Sequence, residues 1–170
     1  MPSSPSSTPT TPPPVLIHPP LLFVVIIALV GLLEWLVPFS WMLALPRFPL
    51  VLVGAMAVVG GLMLMGAAAL QMQRAGTNIP TFQPALCLVT DGVFAHSRNP
   101  IYLGLITAMA GGALILPSFW LLLGTALTAL ILHHAVIKRE EAYLAQYFGE
   151  PYTAYCASTR RWYGSLAGLD

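Results

Sequence analysis

Two short clusters hold the residues of this chain that could do chemistry. The first is Arg98-Asn99-Pro100-Ile101-Tyr102-Leu103-Gly104. The second runs from Glu140-Glu141 through Phe148-Gly149, Tyr152 and Tyr155 to Arg160-Arg161-Trp162. A guanidinium such as that of Arg98 can grip a carboxylate at two points. Asn99 is a favoured helix N-cap and Pro100 a favoured first helical residue, so a helix is predicted to start here. Its unpaired amides and positive dipole end suit an anionic group, a carboxylate or a phosphate. Plainer uses exist for the same residues. Arg98 and Tyr102 are types that anchor a helix at a membrane surface, and Glu140 and Glu141 could pair with Lys138, Arg139 or the later arginines on a solvated helix end.

The elements that must position these clusters are apolar. Charged residues make up 8% of the chain and hydrophobic ones 57%, and the mean hydropathy of +0.79 marks a membrane protein. Residues 21–37 carry one charge, Glu34, residues 50–70 carry none, and residues 101–137 carry none either. A helical span needs about 20 apolar residues, so the last run is too long for one crossing and is predicted to turn at Pro117-Ser118. The alternation of a barrel is missing, which leaves helices as the spanning elements. The expected fold is all-α: a polytopic membrane protein of about four transmembrane helices, with a helical hairpin and a cytosolic C-terminal helical segment.

The first two helices are predicted over 18–37 and 49–72, bounded by Pro38 and Pro49. Ala57 and Gly61, with Gly54, Gly60 and Gly66 nearby, suit close helix packing in lipid. Glu34 near the outer end could reach interfacial water or Arg47. The 73–100 connection is long enough to be functional or to carry short structure of its own. The fourth helix has no breaker until Gly149 and should project beyond the membrane. In a regular helix His133 would lie over Glu140 and His134 over Glu141, each pair about 10 Å apart, too far for one metal. With no HExxH or cysteine cluster, no metal site is expected. After Gly149 a short amphipathic helix restarts at Glu150-Pro151, and its aromatics and terminal arginines suit a bilayer interface or a lid over a bound molecule.

The division predicted is a Pro/Ser/Thr-rich tail over 1–17, disordered or polyproline-like, a two-helix membrane anchor over 18–72, and a core over 73–170. The tail lacks the basic start of a signal peptide, so the first helix should stay as an anchor. Arg74, Arg98, Lys138, Arg139, Arg160 and Arg161 fall on one side and Arg47 on the other. This places both clusters in the cytosol. Cys87 and Cys156 then face a reducing compartment and should stay free. The basic residues sit at helix ends rather than on one face, so nucleic acid is not an expected partner.

The clusters resemble the isoprenylcysteine carboxyl methyltransferase and phospholipid methyltransferase superfamily of integral membrane enzymes. The residues that carry the resemblance are Gly92, Phe94, Arg98, Asn99, Pro100, Tyr102 and Gly104, then Glu140, Glu141, Leu144, Phe148, Gly149, Tyr152, Tyr155, Arg161 and Trp162, over residues 90–163. The resemblance implies S-adenosylmethionine bound at the cytosolic ends of the last two helices, under the C-terminal segment, with a lipid-like or lipidated acceptor entering from the bilayer. By matched position, Asn99, Tyr102, Glu141, Tyr152 and Tyr155 would hold the cofactor. Arg98, Glu140 and Arg161 would lie nearer the acceptor, as the catalytic set. Asn99 stands where the carboxyl methyltransferases carry histidine, and the usual proline after the basic aromatic end is missing.

Methyl transfer from a sulfonium is an in-line displacement, for which a protein supplies alignment and desolvation. A carboxylate acceptor would need Arg98 or Arg161, whereas an amine or thiol must lose a proton, to Glu140 or a histidine. Two other readings stand beside this one. One is an NADPH-dependent sterol-type reductase, which shares a related C-terminal motif, and the other is a small non-enzymatic assembly or transport protein.

Overall fold

The computed structural model describes residues 18–39, 46–78 and 85–164, so the tail over 1–17 lies outside the described residues. Every regular element among them is helical: α1 (Pro19–Leu36), α2 (Arg47–Arg74), α3 (Pro100–Ile115), α4 (Phe119–Ile131), α5 (Lys138–Phe148) and α6 (Glu150–Ser158). A single 3₁₀ turn, Gly92–Ala95, precedes α3. The boundaries follow the breakers. Pro100 opens α3, Ser118 caps α4 by accepting the Leu121 amide at 3.0 Å, and Gly149 separates α5 from α6 at φ 61°. This is the all-α membrane architecture expected. Three helices are long and apolar enough to cross a membrane, namely Pro19–Leu36, Arg47–Arg74 and the continuous rod Phe119–Phe148. The fourth, α3, has 16 residues, or about 24 Å of rise, and is shorter than a full crossing.

The rod departs from the regular helix expected. Residues Leu132–Ile137 form a π-helical turn. Such turns hold one extra residue, and here the inward-facing track passes from Leu132 to Ile137, both fully buried. The seven-residue stacking of His133 over Glu140 and His134 over Glu141 is therefore broken. His133 instead lies nearly parallel to the Trp162 ring, centroids 6.2 Å apart.

Small residues make the tightest contact in the fold. The buried residues of α2 are Gly54, Gly61 and Ala68, spaced by seven, while Leu52, Val53, Met56, Val59, Leu62 and Met63 point outward. Gly54 meets Gly111 and Gly61 meets Gly104, so α2 and α3 run antiparallel with backbones in contact. A Cβ built on Gly104 would lie 2.5 Å from the Gly61 carbonyl oxygen. Lipid removes the hydrophobic force between helices, and small residues let dispersion contacts replace it. Of the small residues in the sequence pattern, Gly54, Ala57 and Gly61 form this seam, whereas Gly60 and Gly66 face open space.

On the other side of α3, Leu22 and Ile26 of α1 join Tyr102, Met109, Leu132, Val136 and Ile137 in one apolar cluster. Hydroxyls inside the bundle bond back along their own helices. Thr107 donates to Leu103, Thr125 to Leu121 and Thr128 to Gly124, all through carbonyl oxygens at 2.7 to 2.8 Å. Glu34 is not paired with Arg47. The Ser118 hydroxyl donates to its Oε2 at 2.9 Å, tying the end of α1 to the cap of α4.

The seam makes a mutational contrast. Gly104→Ala should lower stability by about 1–3 kcal/mol through overpacking, while Gly60→Ala should be nearly neutral, as read by thermal unfolding in detergent.

Candidate active site

At one end of the bundle the start of α1, the end of α2, the start of α3, α5 and α6 surround a cavity of about 440 Å³. That size falls within the range of small-molecule sites. Most of the wall is apolar, from Met72, Leu88, Val89, Phe94, Ile101 and Leu144. Its polar groups come from Arg98, Asn99, Tyr102, Glu140, Glu141, Tyr152 and Tyr155, with Thr77 and Cys87 on the loop side. Seven of the eight residues singled out from the sequence thus share one cavity.

Arg161, the eighth, stands behind the wall. Its Nε and Nη2 donate to the Glu141 carboxylate at 3.0 and 2.6 Å. Arg98 approaches the same carboxylate through Nη2 at 3.0 Å, and the three side chains are 12% (Arg98), 14% (Glu141) and 32% (Arg161) exposed. Two guanidiniums on one shielded carboxylate make a charge cluster in which removal of Glu141 leaves like charges facing each other. The Glu141 hydrogen bond holds Arg161 above its already high pKa. Arg98 Nη1 donates to the Cys156 carbonyl at 3.3 Å. Among the described residues its buried Nε has no hydrogen-bond partner.

Asn99 sits at the N-cap position, yet its side chain does not cap α3. Nδ2 donates instead to the Arg161 carbonyl at 3.1 Å, and the Asn99 amide is taken by Ser97 Oγ at 3.1 Å. The cap expected from the residue type has been traded for a bond to the C-terminal segment. That segment is stitched along the approach to α3: the Arg98 amide donates to the Arg160 carbonyl at 3.1 Å and the Gly164 amide to the His96 carbonyl at 2.8 Å. Residues 160–164 thus brace the wall from outside. The part of the C-terminal region that faces the cavity is α6, through Tyr152 and Tyr155. Tyr155 donates to the Phe94 carbonyl at 2.7 Å, and burial pushes both tyrosine hydroxyls above their usual pKa.

The apolar stretch of the rod ends at Ile137, so α5 and Glu140 project beyond the span. Burial pushes the Glu140 carboxyl up to about 7, against an opposing hydrogen bond from the Tyr102 hydroxyl and with further upward pressure from Glu141. Glu140 is therefore a carboxyl able to hold or release a proton near neutral pH.

Pro19, Pro20, Met72, Thr77 and Cys87 line the cavity without belonging to either motif. Thr77 Oγ1 accepts the amides of Leu86 and Cys87 at 3.0 and 3.4 Å, closing the neck of the long loop, and Cys87 Sγ donates to the Ala75 carbonyl at 3.1 Å. Their spacing along the chain carries no periodicity that would have grouped them.

A family model described as phospholipid methyltransferase matches residues 50–151, more than half of the chain. The chain belongs to the phospholipid methyltransferase family. This family member is similar to the protein-S-isoprenylcysteine O-methyltransferase of Schizosaccharomyces pombe, 38% identical over 71 residues that cover 40% of this chain and 29% of that protein. It is also similar to the protein of the same name from Dictyostelium discoideum, 27% identical over 132 residues, covering 75% and 54% respectively. The chain thus matches about half or less of the length of these curated relatives.

A pH dependence follows from Glu140. Its folded pKa lies above the unfolded value, so the folded state binds the extra proton, and the stability it contributes is fully present below about pH 4.5 and lost as pH rises through about 7. Thermal unfolding in detergent should therefore show a melting temperature that falls across this window in the wild type, and a flatter profile in Glu140→Gln.

Proposed function

We propose that this protein transfers a methyl group from S-adenosylmethionine to a lipid-like acceptor at the membrane. The observation that carries the reading is the convergence, on one cavity of about 440 Å³, of Arg98, Asn99, Tyr102, Glu140, Glu141, Tyr152 and Tyr155. Family membership supports it, as do relatives named for O-methylation of protein isoprenylcysteine. The donor set fits the proposed cofactor. Carboxylates suit its positive centres, and the tyrosine and phenylalanine rings suit a purine. When bound, that cofactor supplies an electrophilic methyl group on sulfur.

In this reading Asn99, Tyr102, Glu141, Tyr152 and Tyr155 hold the donor. The apolar wall excludes water and aligns the reactants, which is the main task in a displacement on an already activated centre. Glu140 takes the proton of an amine or thiol acceptor, and Arg98 faces a carboxylate one. Arg161 acts through Glu141 rather than on the acceptor. The acceptor class is lipophilic, a lipidated or phospholipid-type molecule that reaches the site from the bilayer. The excess of Arg and Lys around this end supports a site on the cytosolic side. The 73–170 region forms the methyltransferase core, with α1 and α2 anchoring it.

Calorimetry on the purified full chain separates this from the reductase and non-enzymatic readings. S-adenosylmethionine should bind with a Kd in roughly the micromolar range, and Glu141→Gln should weaken it at least about tenfold. Binding of NADPH in its place, or of neither molecule, would overturn the assignment. Mass spectrometry of lipid extract methylated with labelled donor would then identify the acceptor.

A further inference from the structure

One side chain outside both motifs makes three hydrogen bonds to the loop that leads into α3. Gln71, in the last turn of α2, donates through Nε2 to the Asp91 carbonyl at 2.7 Å and to Asp91 Oδ1 at 2.9 Å. Its Oε1 accepts the Val93 amide at 3.2 Å. One amide group therefore satisfies both the acceptor that closes the turn and the donor that opens the 3₁₀ segment.

Gly92 lies between these contacts at φ 54°, and a Cβ built there would sit 2.6 Å from Gln71 Oε1. The glycine and the glutamine are fitted to each other, since any side chain at residue 92 would displace the amide. The loop so held carries much of the cavity wall. Leu88 and Val89 precede the turn, and Phe94 and Arg98 follow it. The Phe94 carbonyl receives the Tyr155 hydroxyl, so a shift of the loop would be passed directly to α6.

We propose that Gln71 is a positioning residue, which sets the loop from Asp91 to Arg98 against α5 and α6 and thereby tunes affinity for the methyl donor. Its kinetic arm rests on the methyltransferase reading; its structural arm does not. Gln71 touches the loop rather than the cavity, so its loss should misplace groups that bind the donor without removing a group that reacts.

The test compares wild type, Gln71→Leu and Asp91→Ala, all as full chains in detergent. Asp91→Ala removes only the bond to Oδ1 and leaves the bonds at the Asp91 carbonyl and the Val93 amide. Without any cofactor, hydrogen–deuterium exchange over residues 86–98 should speed up at least about tenfold in Gln71→Leu and by less in Asp91→Ala. With the donor, KM should rise about tenfold in Gln71→Leu while kcat stays within about twofold, and Asp91→Ala should fall between Gln71→Leu and the wild type. Wild-type exchange in Gln71→Leu, or a loss of kcat with KM unchanged, overturns the proposal. If the wild type shows no donor binding, the methyltransferase reading fails while the exchange data still decide the role of Gln71.

Discussion

A single carboxylate ties two parts of the cavity wall to the segment that braces it from outside. Glu141, on α5, is held by Arg98 from the approach to α3 and by Arg161 from the segment after α6. Taking a carboxylate out of water is costly, and one partner rarely offsets that cost. Two guanidiniums, one of them engaged through two nitrogens, supply the compensation and also fix geometry, because the fork of arginine is planar. The other bonds to the segment after α6 follow from this placement. With Arg161 drawn to Glu141, its carbonyl is available to Asn99 and the neighbouring Arg160 carbonyl to the Arg98 amide.

This cluster sits at the end of the bundle because the bundle itself has no place for it. The α2–α3 seam is built from glycine and alanine in backbone contact, with the large side chains turned outward. In α3 and α4 the Thr107, Thr125 and Thr128 hydroxyls bond back to their own helices, as a medium without water requires. The seam brings the end of α2 level with the start of α3, so Met72 and Tyr102 face the same cavity. The π-helical turn then carries the inward track of the long rod forward by a residue as it leaves the apolar region. Glu140, Glu141 and Leu144 enter the wall on that extension.

Much of this was legible along the chain. Uncharged runs marked the helices, and Pro100, Ser118 and Gly149 marked their ends. Seven of the eight site residues chosen from the Arg98–Gly104 and Glu140–Trp162 clusters line the cavity, because polar groups in a greasy chain have few reasons to exist. Less legible were the side chains whose roles depend on partners far away in sequence. Asn99 looked like a helix cap and serves the C-terminal segment. Glu34 was read as reaching interfacial water or Arg47, and it is bonded by Ser118 across the bundle. The stacking of His133 over Glu140 failed because a π turn in an unbroken apolar helix has no marker in residue type.

Helix positions, the membrane class and the polar clusters were settled by sequence, because they depend on local propensity and on transfer out of water, properties each segment carries alone. Which arginine faces the cavity and which stands behind Glu141 was decided only by tertiary structure. Both are guanidiniums, and both lie at a helix boundary. Their difference arises from packing, with Arg98 fixed by the start of α3 and Arg161 by the path of the chain after α6, and a path of that kind is a property of the assembled bundle.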